Sequence, residues 1–269
     1  MFQKHTTAEG LVYLTSSVIP AVHAFSTRLG GVSRNGFETF NIGSNRGDDP
    51  EAVRENYRRW CRIFDAGEND CCVTNQVHGN YVRRVTAADR HVCMTPELVE
   101  ADGLVTAEKN LPVFCFTADC VPVLLCDREQ KAAAAVHCGW RSSVRDILAN
   151  AVHEMEASGV KAENICAALG PSIGKCCFET DRDVPDAVKD WLSGDTDGLW
   201  TVRDDGKYMV DLRLANARRL LQLGLREENI DLSEDCTMCL HDQYWSARYT
   251  IKHGLVRGSM VAGIVLKEG

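Results

Sequence analysis

The chain has 269 residues, of which 45% are hydrophobic and 25% charged, and it carries a net charge of −8. That length and apolar content suffice to bury a sizeable core in one large domain or two small ones. The acidic balance, with no basic block, excludes an electrostatic footprint for nucleic acid. Apolar runs such as Val121–Cys126 fall far below the roughly 18 residues of a membrane span.

In chain order, Met1–Gly10 carries Lys4, His5 and Glu9 with no apolar stretch behind them, so no signal peptide is expected and the protein reads as cytoplasmic. Asp48-Asp49-Pro50-Glu51 offers an acidic cap and a first-turn proline. Val53, Tyr57, Trp60, Cys61 and Phe64 then recur at helical spacing, which predicts a helix over 50–64. Strands are expected at Tyr81–Val85, Pro112–Thr117, Val121–Cys126 and Lys131–His137, the last two joined by a turn at 127–130. Val144, Ile147, Leu148, Ala151, Val152 and Met155 predict a helix over Ser143–Ser158 that stops at Gly159. Further strands are expected at Ile165–Leu169 and Met260–Leu266, with helices at Asp186–Leu192 and Asp211–Leu223. Ser193–Gly206 reads as a loop excursion within one domain. Runs of strands with few helices between them indicate an α+β fold, a single domain over 1–269 with mixed β-sheets flanked by helices.

Thirteen cysteines are unusual for such a chain. Disulfide frameworks belong to small secreted proteins, so most of these thiols are expected to be reduced core hydrophobes. Three residues at element ends have the chemistry of a metal site: His78 before a strand, Cys120 between two strands, and His137 closing an Ala/Val strand. Two imidazoles and a thiolate suit zinc and leave a fourth position open for water or substrate. Spacing alone leaves plain core or loop roles open for each of them. It equally allows Cys120 to be a nucleophile with His137 or His78 as its base.

Cys236-Thr237-Met238-Cys239 is a C-x-x-C with no second C-x-x-C to complete a four-thiolate site, although His241 lies nearby. In a reducing compartment a redox pair or half a zinc knuckle is open to it, and with the vicinal pairs Cys71–Cys72 and Cys176–Cys177 the favoured reading is structural. Arg141, Arg248 and Arg257 stand in small-residue or aromatic surroundings, where a guanidinium binds an anion such as phosphate or pairs with a surface carboxylate. Gly170-Pro171-Ser172-Ile173-Gly174 lacks the Lys-Ser/Thr of a phosphate-binding loop, and no dinucleotide fingerprint, H-E-x-x-H or G-x-S-x-G occurs.

An ordered set of segments resembles the multicopper polyphenol oxidoreductase or laccase-domain family, also called purine nucleoside phosphorylases and peptidoglycan editing factors. The segments are Asn41-Ile42-Gly43 with Gly47-Asp48-Asp49-Pro50, then Gln76-Val77-His78-Gly79, Ala101–Thr106, Ala118–Val123 and Val136–Arg141. Leu169–Gly174, Cys176–Glu179, Asp211-Leu212 with Ala215-Asn216, and Cys236–Cys239 follow. The resemblance implies a mononuclear zinc, with copper as the alternative, on His78, Cys120 and His137. It implies phosphorolysis of adenosine, inosine and guanosine to the base and ribose 1-phosphate, so that purine nucleosides and phosphate are the partners. Adenosine deamination, methylthioadenosine phosphorolysis, amide hydrolysis on peptidoglycan precursors and copper-dependent phenol oxidation are also attributed to similar proteins. Asn45, Arg141 and Arg248 are the expected substrate-binding residues. Two departures bear on them: Asn45-Arg46 stands where the family usually has His-Val, and Ser246-Ala247-Arg248-Tyr249 where it has Ser-Tyr-Arg-Arg. Eight scattered histidines are few for the several centres of a copper electron-transfer chain. A non-enzymatic, closed zinc module is a further class.

Overall fold

The computed structural model describes residues 1–91, 94 and 98–268. In chain order, β1 (Phe2–Thr6), β2 (Val12–Ser16) and β3 (Val22–Ser26) precede α1 (Pro50–Arg62). Next come β4 (Val82–Arg84), β5 (Gly103–Thr106), β6 (Val113–Thr117), β7 (Val121–Asp127) and β8 (Ala133–Cys138), then α2 (Trp140–Val144) and α3 (Ile147–Glu156). β9 (Ile165–Leu169), β10 (Glu179–Thr180), α4 (Asp183–Trp191), β11 (Trp200–Val202), β12 (Tyr208–Val210) and α5 (Leu212–Gln222) follow. β13 (Ile230–Leu232), α6 (Ala247–His253) and β14 (Met260–Val265) complete the order.

Two large sheets stack face to face. The first runs β1-β2-β3-β14-β6 and is antiparallel throughout, and the second runs β13-β9-β7-β8-β5-β4 with parallel pairs only at its two edges. The two-residue period of a strand sorts the side chains between layers. In β8, Ala134, Val136 and Cys138 pack with Ile147, Leu148 and Ala151 of α3. Ala133 and Ala135 face the other way, into the core shared with Val113, Cys115, Ala262 and Ile264 of the first sheet. The opposite face of that sheet, through Phe114, Val261 and Val265, receives Val53, Tyr57, Trp60 and Cys61 of α1. The layers are therefore helix, sheet, sheet, helices, the mixed α and β architecture expected from the sequence.

α1 starts where the sequence places it: the Asp49 side chain accepts from Glu51 N, and Pro50 opens the first turn. The continuous helix expected over 143–158 is corrected to two, α2 and α3, broken at Asp146, whose φ of 65° is left-handed. The apolar spacing runs across the break because both pieces face the same sheet. Asp146 holds its conformation through its carboxylate, which accepts from Trp191 Nε1 at 3.0 Å and from Arg219 Nε and Nη2 at 2.8 and 2.6 Å. The Ser193–Gly206 loop is also corrected in part, since Trp200–Val202 forms β11 of a small sheet ordered β10-β12-β11.

Burial raises the Asp146 pKa, but Arg219 and Trp191 outweigh it and hold the carboxyl below its ordinary value. A depressed folded-state pKa contributes stability that is present above the unfolded carboxyl value and lost as pH falls through the folded one. Asp146→Asn is expected to destabilise the protein by about 1–2 kcal/mol at about pH 7 in urea denaturation, with the difference from wild type closing at about pH 2.

Candidate metal centre and substrate pocket

Strand pairing explains how residues far apart in sequence meet. β7 and β8 pair antiparallel with Pro122 opposite His137 and Val121 opposite Cys138, so Cys120, one residue before β7, lies beside the end of β8. His137 follows Ala133 and Ala135 on the face between the two sheets and is buried. β5 pairs with β8 on one side and with β4 on the other, which brings Asp102 and the loop before β4, carrying His78, to the same sheet end. Nitrogen and sulfur atoms of His78, Cys120 and His137 all lie within 4.8 Å of one another. Cys120 Sγ is 3.9 Å from His78 Nε2, and the two imidazoles meet edge to face with centroids 4.9 Å apart.

Asp102 organises this cluster. Its Oδ1 faces His137 Nδ1 at 2.8 Å and accepts from His78 N at 2.9 Å. Its Oδ2 accepts from Gly79 N at 2.7 Å and Val77 N at 3.1 Å. One buried carboxylate thus fixes the His137 ring, leaves its Nε2 toward Cys120, and pins the backbone that carries His78. His78 and Asp119 both adopt left-handed backbone, with φ of 59° and 87°. Asp119 is held there by Thr237 Oγ1 and Arg248 N, each donating to its carboxylate at 2.6 Å. Gly139 completes the packing: a Cβ there would stand 2.8 Å from His78 Cδ2 and 3.2 Å from Cys120 Sγ.

Burial disfavours a charged Cys120, but the His137 and His78 imidazoles outweigh it and lower its pKa to about 6. Burial likewise opposes charge on His137, while Cys120 and Asp102 lift it to about 9. A thiolate and two imidazoles, one oriented by a carboxylate, form a donor set that fits a thiophilic divalent metal such as zinc and leaves a position open.

A cavity of about 230 Å³ opens on these three residues. Ile42, Val73 and Phe116 give it an apolar wall, and Asn45, Arg46 and Arg257 a polar one. Gln76 shapes the floor: its Nε2 donates to Phe116 O at 2.7 Å and its Oε1 accepts from Phe116 N at 2.6 Å, extending the edge of β6. Of the expected substrate-binding residues, Asn45 lines the cavity, whereas Arg141 and Arg248 do not. Arg141 is exposed and lies over its neighbour Trp140, 4.3 Å from the ring centroid. Arg248 Nη1 donates to Glu179 O, and the residue serves the site through its backbone N–H on Asp119. Arg46 and Arg257 form no ion pair among the described residues. Burial and the neighbouring Arg257 both push the Arg46 guanidinium below its ordinary pKa.

Sequence reasoning assigns no role to Asp102 or Gln76, although both stand inside the segments that carry the resemblance. The available signal was a carboxylate just before a buried strand, which needs a partner. Peptide-resolved iodoacetamide alkylation of chelator-treated protein is expected to show Cys120 reactivity rising with pH through a midpoint near 6. In His137→Ala the midpoint should move upward toward an ordinary thiol value.

A family model described as multi-copper polyphenol oxidoreductase laccase matches residues 22–267. A purine nucleoside phosphorylase of Mycobacterium tuberculosis is 38% identical over 213 residues, covering 79% of this chain and 81% of the relative. An adenosine deaminase from an unknown prokaryotic organism is 32% identical over 253 residues, covering 93% and 95%. The crystal structure of YlmD from Geobacillus stearothermophilus superposes with a TM-score of 0.90 at 29% identity, covering 98% of this chain and 99% of that one. With the matched region spanning nearly the whole sequence, the chain belongs to the multi-copper polyphenol oxidoreductase laccase family.

Proposed function

We propose that the protein is a zinc-dependent purine nucleoside phosphorylase, with His78, Cys120 and His137 as the metal ligands. The observation that carries this reading is the joining, in one cavity, of that donor set with two arginines, Arg46 and Arg257, that form no ion pair among the described residues. Relatives named as purine nucleoside phosphorylases and an adenosine deaminase support the substrate class. A bound zinc supplies Lewis acidity for an oxygen nucleophile near neutral pH. Among the described residues only His78 and His137, of the eight histidines, fall in a cluster able to hold a metal, which disfavours a multicopper electron-transfer chain.

Arg46 and Arg257 hold the phosphate as a dianion, their mutual repulsion relieved when an anion comes between them. The apolar wall at Ile42, Val73 and Phe116 takes the purine, which places the ribose between base and phosphate. A phosphate oxygen then bonds to the anomeric carbon as the glycosidic C–N bond breaks, and the base leaves with that electron pair and takes up a proton. The chain's contribution is positioning and charge complementarity.

A second reading has an observation of its own. Cys120, His137 and Asp102 form the sequence nucleophile, base and orienting carboxylate of a thiol hydrolase, consistent with an amidase. Chelation separates the two, since thiol catalysis survives metal removal and the zinc-dependent reaction does not.

With inosine and phosphate as substrates, His78→Ala and Cys120→Ala are expected to lose at least about a hundredfold in kcat/KM, and Asp102→Asn about 10–100-fold. Arg46→Ala and Arg257→Ala should each raise KM for phosphate about tenfold, equivalent to about 1.4 kcal/mol, and leave KM for inosine unchanged. Full turnover by folded His78→Ala and Cys120→Ala proteins would sink the assignment.

A further inference from the structure

A second cluster of metal-binding side chains lies outside the cavity. Cys176 and Cys177, in the loop after β9, meet Cys236 and Cys239, in the loop after β13, with all four sulfurs within 4.8 Å of one another. Sγ of Cys239 is 3.5 Å from that of Cys176 and 3.4 Å from that of Cys177. Four sulfurs about 2.3 Å from a tetrahedral zinc stand about 3.8 Å apart, a spacing that this arrangement brackets. No disulfide joins the cysteines of the described residues.

The surroundings are also those of a thiolate site. Gly174 N donates to Cys236 Sγ at 3.2 Å, and the backbone N–H groups of Met238 and Cys239 converge on the same sulfur. Such amide bonds stabilise a sulfur that carries negative charge. Gly174 has to lack a side chain, because a Cβ there would lie 3.2 Å from Cys236 Cβ and 3.3 Å from Cys176 Sγ. The Arg213 guanidinium is buried beside the cluster, donating to the carbonyls of Ser172 and Asp235. Burial works against its charge, and Asp211, Cys236, Asp235 and Cys176 supply the compensating field. Asp211 and Asp235 compensate part of that charge, and four thiolates around a divalent ion would add a net negative group beside it.

We propose that Cys176, Cys177, Cys236 and Cys239 bind a zinc ion in a closed four-thiolate site, distinct from the His78–Cys120–His137 cluster. Binding exchanges thiol protons for the metal and changes no oxidation state. The site has a structural consequence for the cavity. Thr237, between Cys236 and Cys239, hydrogen-bonds Ser172 O through its N–H at 3.1 Å and Asp119 through its hydroxyl. Tying the two loops together therefore holds the Asp119 backbone that presents Cys120.

The test uses cobalt(II) as probe in reduced protein carrying His78→Ala and Cys120→Ala, so the outcome does not depend on the first cluster. The expected result is about one cobalt per chain with the intense visible bands of tetrahedral thiolate coordination, abolished by adding Cys239→Ser. Weak octahedral bands, or no bound cobalt, would overturn the proposal. An independent measurement covers a folding failure of the double variant. Cys239 is exposed, so Cys239→Ser alone opens no core cavity, and it should lower the zinc content of otherwise wild-type protein by about one equivalent per chain. Unchanged zinc content, iron in place of zinc, or a disulfide from Cys239 to Cys176 or Cys177 in protein purified under reductant would each overturn it.

Discussion

Asp102 is 1% exposed, so its carboxylate has almost no access to water and has to be solvated by the protein. It solves this with three consecutive backbone N–H groups, from Val77, His78 and Gly79, and with the ring of His137. That solution gives the site its shape. A loop that wraps three amides around one carboxylate turns sharply, and the left-handed φ of His78 is the form the turn takes. The carboxylate draws charge onto His137, and His137 draws it onto Cys120. The geometry and the electrostatics of the cluster thus share one buried negative group, placed by the residue immediately before β5.

The framework around this group is rigid where it needs to be. β7 and β8 are buried on both faces, the first sheet covering one side and α3 the other. The cavity lies at their shared end, where β8 runs out into Gly139 and β7 begins after Cys120. His78, Cys120 and His137 sit at that end, where the packed strands give way to loops. The loops bearing Arg46 and Arg257 are more exposed and line the same cavity.

How much of this could be read from the residues follows from which forces are local. α1 was legible because its cap, its first-turn proline and its apolar stripe all lie between Asp49 and Phe64. The central strands were legible because strands buried on both faces are continuous apolar runs. The break at Asp146 was not, because it is held by Arg219 and Trp191 from distant helices and leaves the apolar spacing intact. β1 and β2 were missed for a related reason: their half-exposed, mixed side chains carry little periodic signal. At the site, His78, Cys120 and His137 stood out by chemical type and by resemblance to a family. Asp102 has an ordinary carboxylate's identity, and only the pairing of β4, β5 and β8 shows what it holds. Cys176–Cys177 and Cys236–Cys239 likewise read as unrelated fragments until the loops after β9 and β13 are seen side by side, which the parallel pairing of those strands brings about.

The same pairing logic separates the cysteines by what faces them. Cys72, Cys115 and Cys126 are buried among apolar neighbours, and burial pushes each thiol up to about 12, where it stays protonated and behaves as a small hydrophobe. Cys120 experiences burial as its largest single effect as well, and yet its pKa falls, because two imidazoles reach the sulfur that no apolar neighbour would stabilise as an anion. Desolvation therefore does not decide whether a thiol in this fold is inert or reactive; it raises the stakes of having a partner. Cys138 makes the contrast sharpest. It is next to His137 in sequence but points to the opposite face of β8, into the α3 core, and its thiol is driven well above the ordinary range. One step along a strand is enough to turn a candidate ligand into packing.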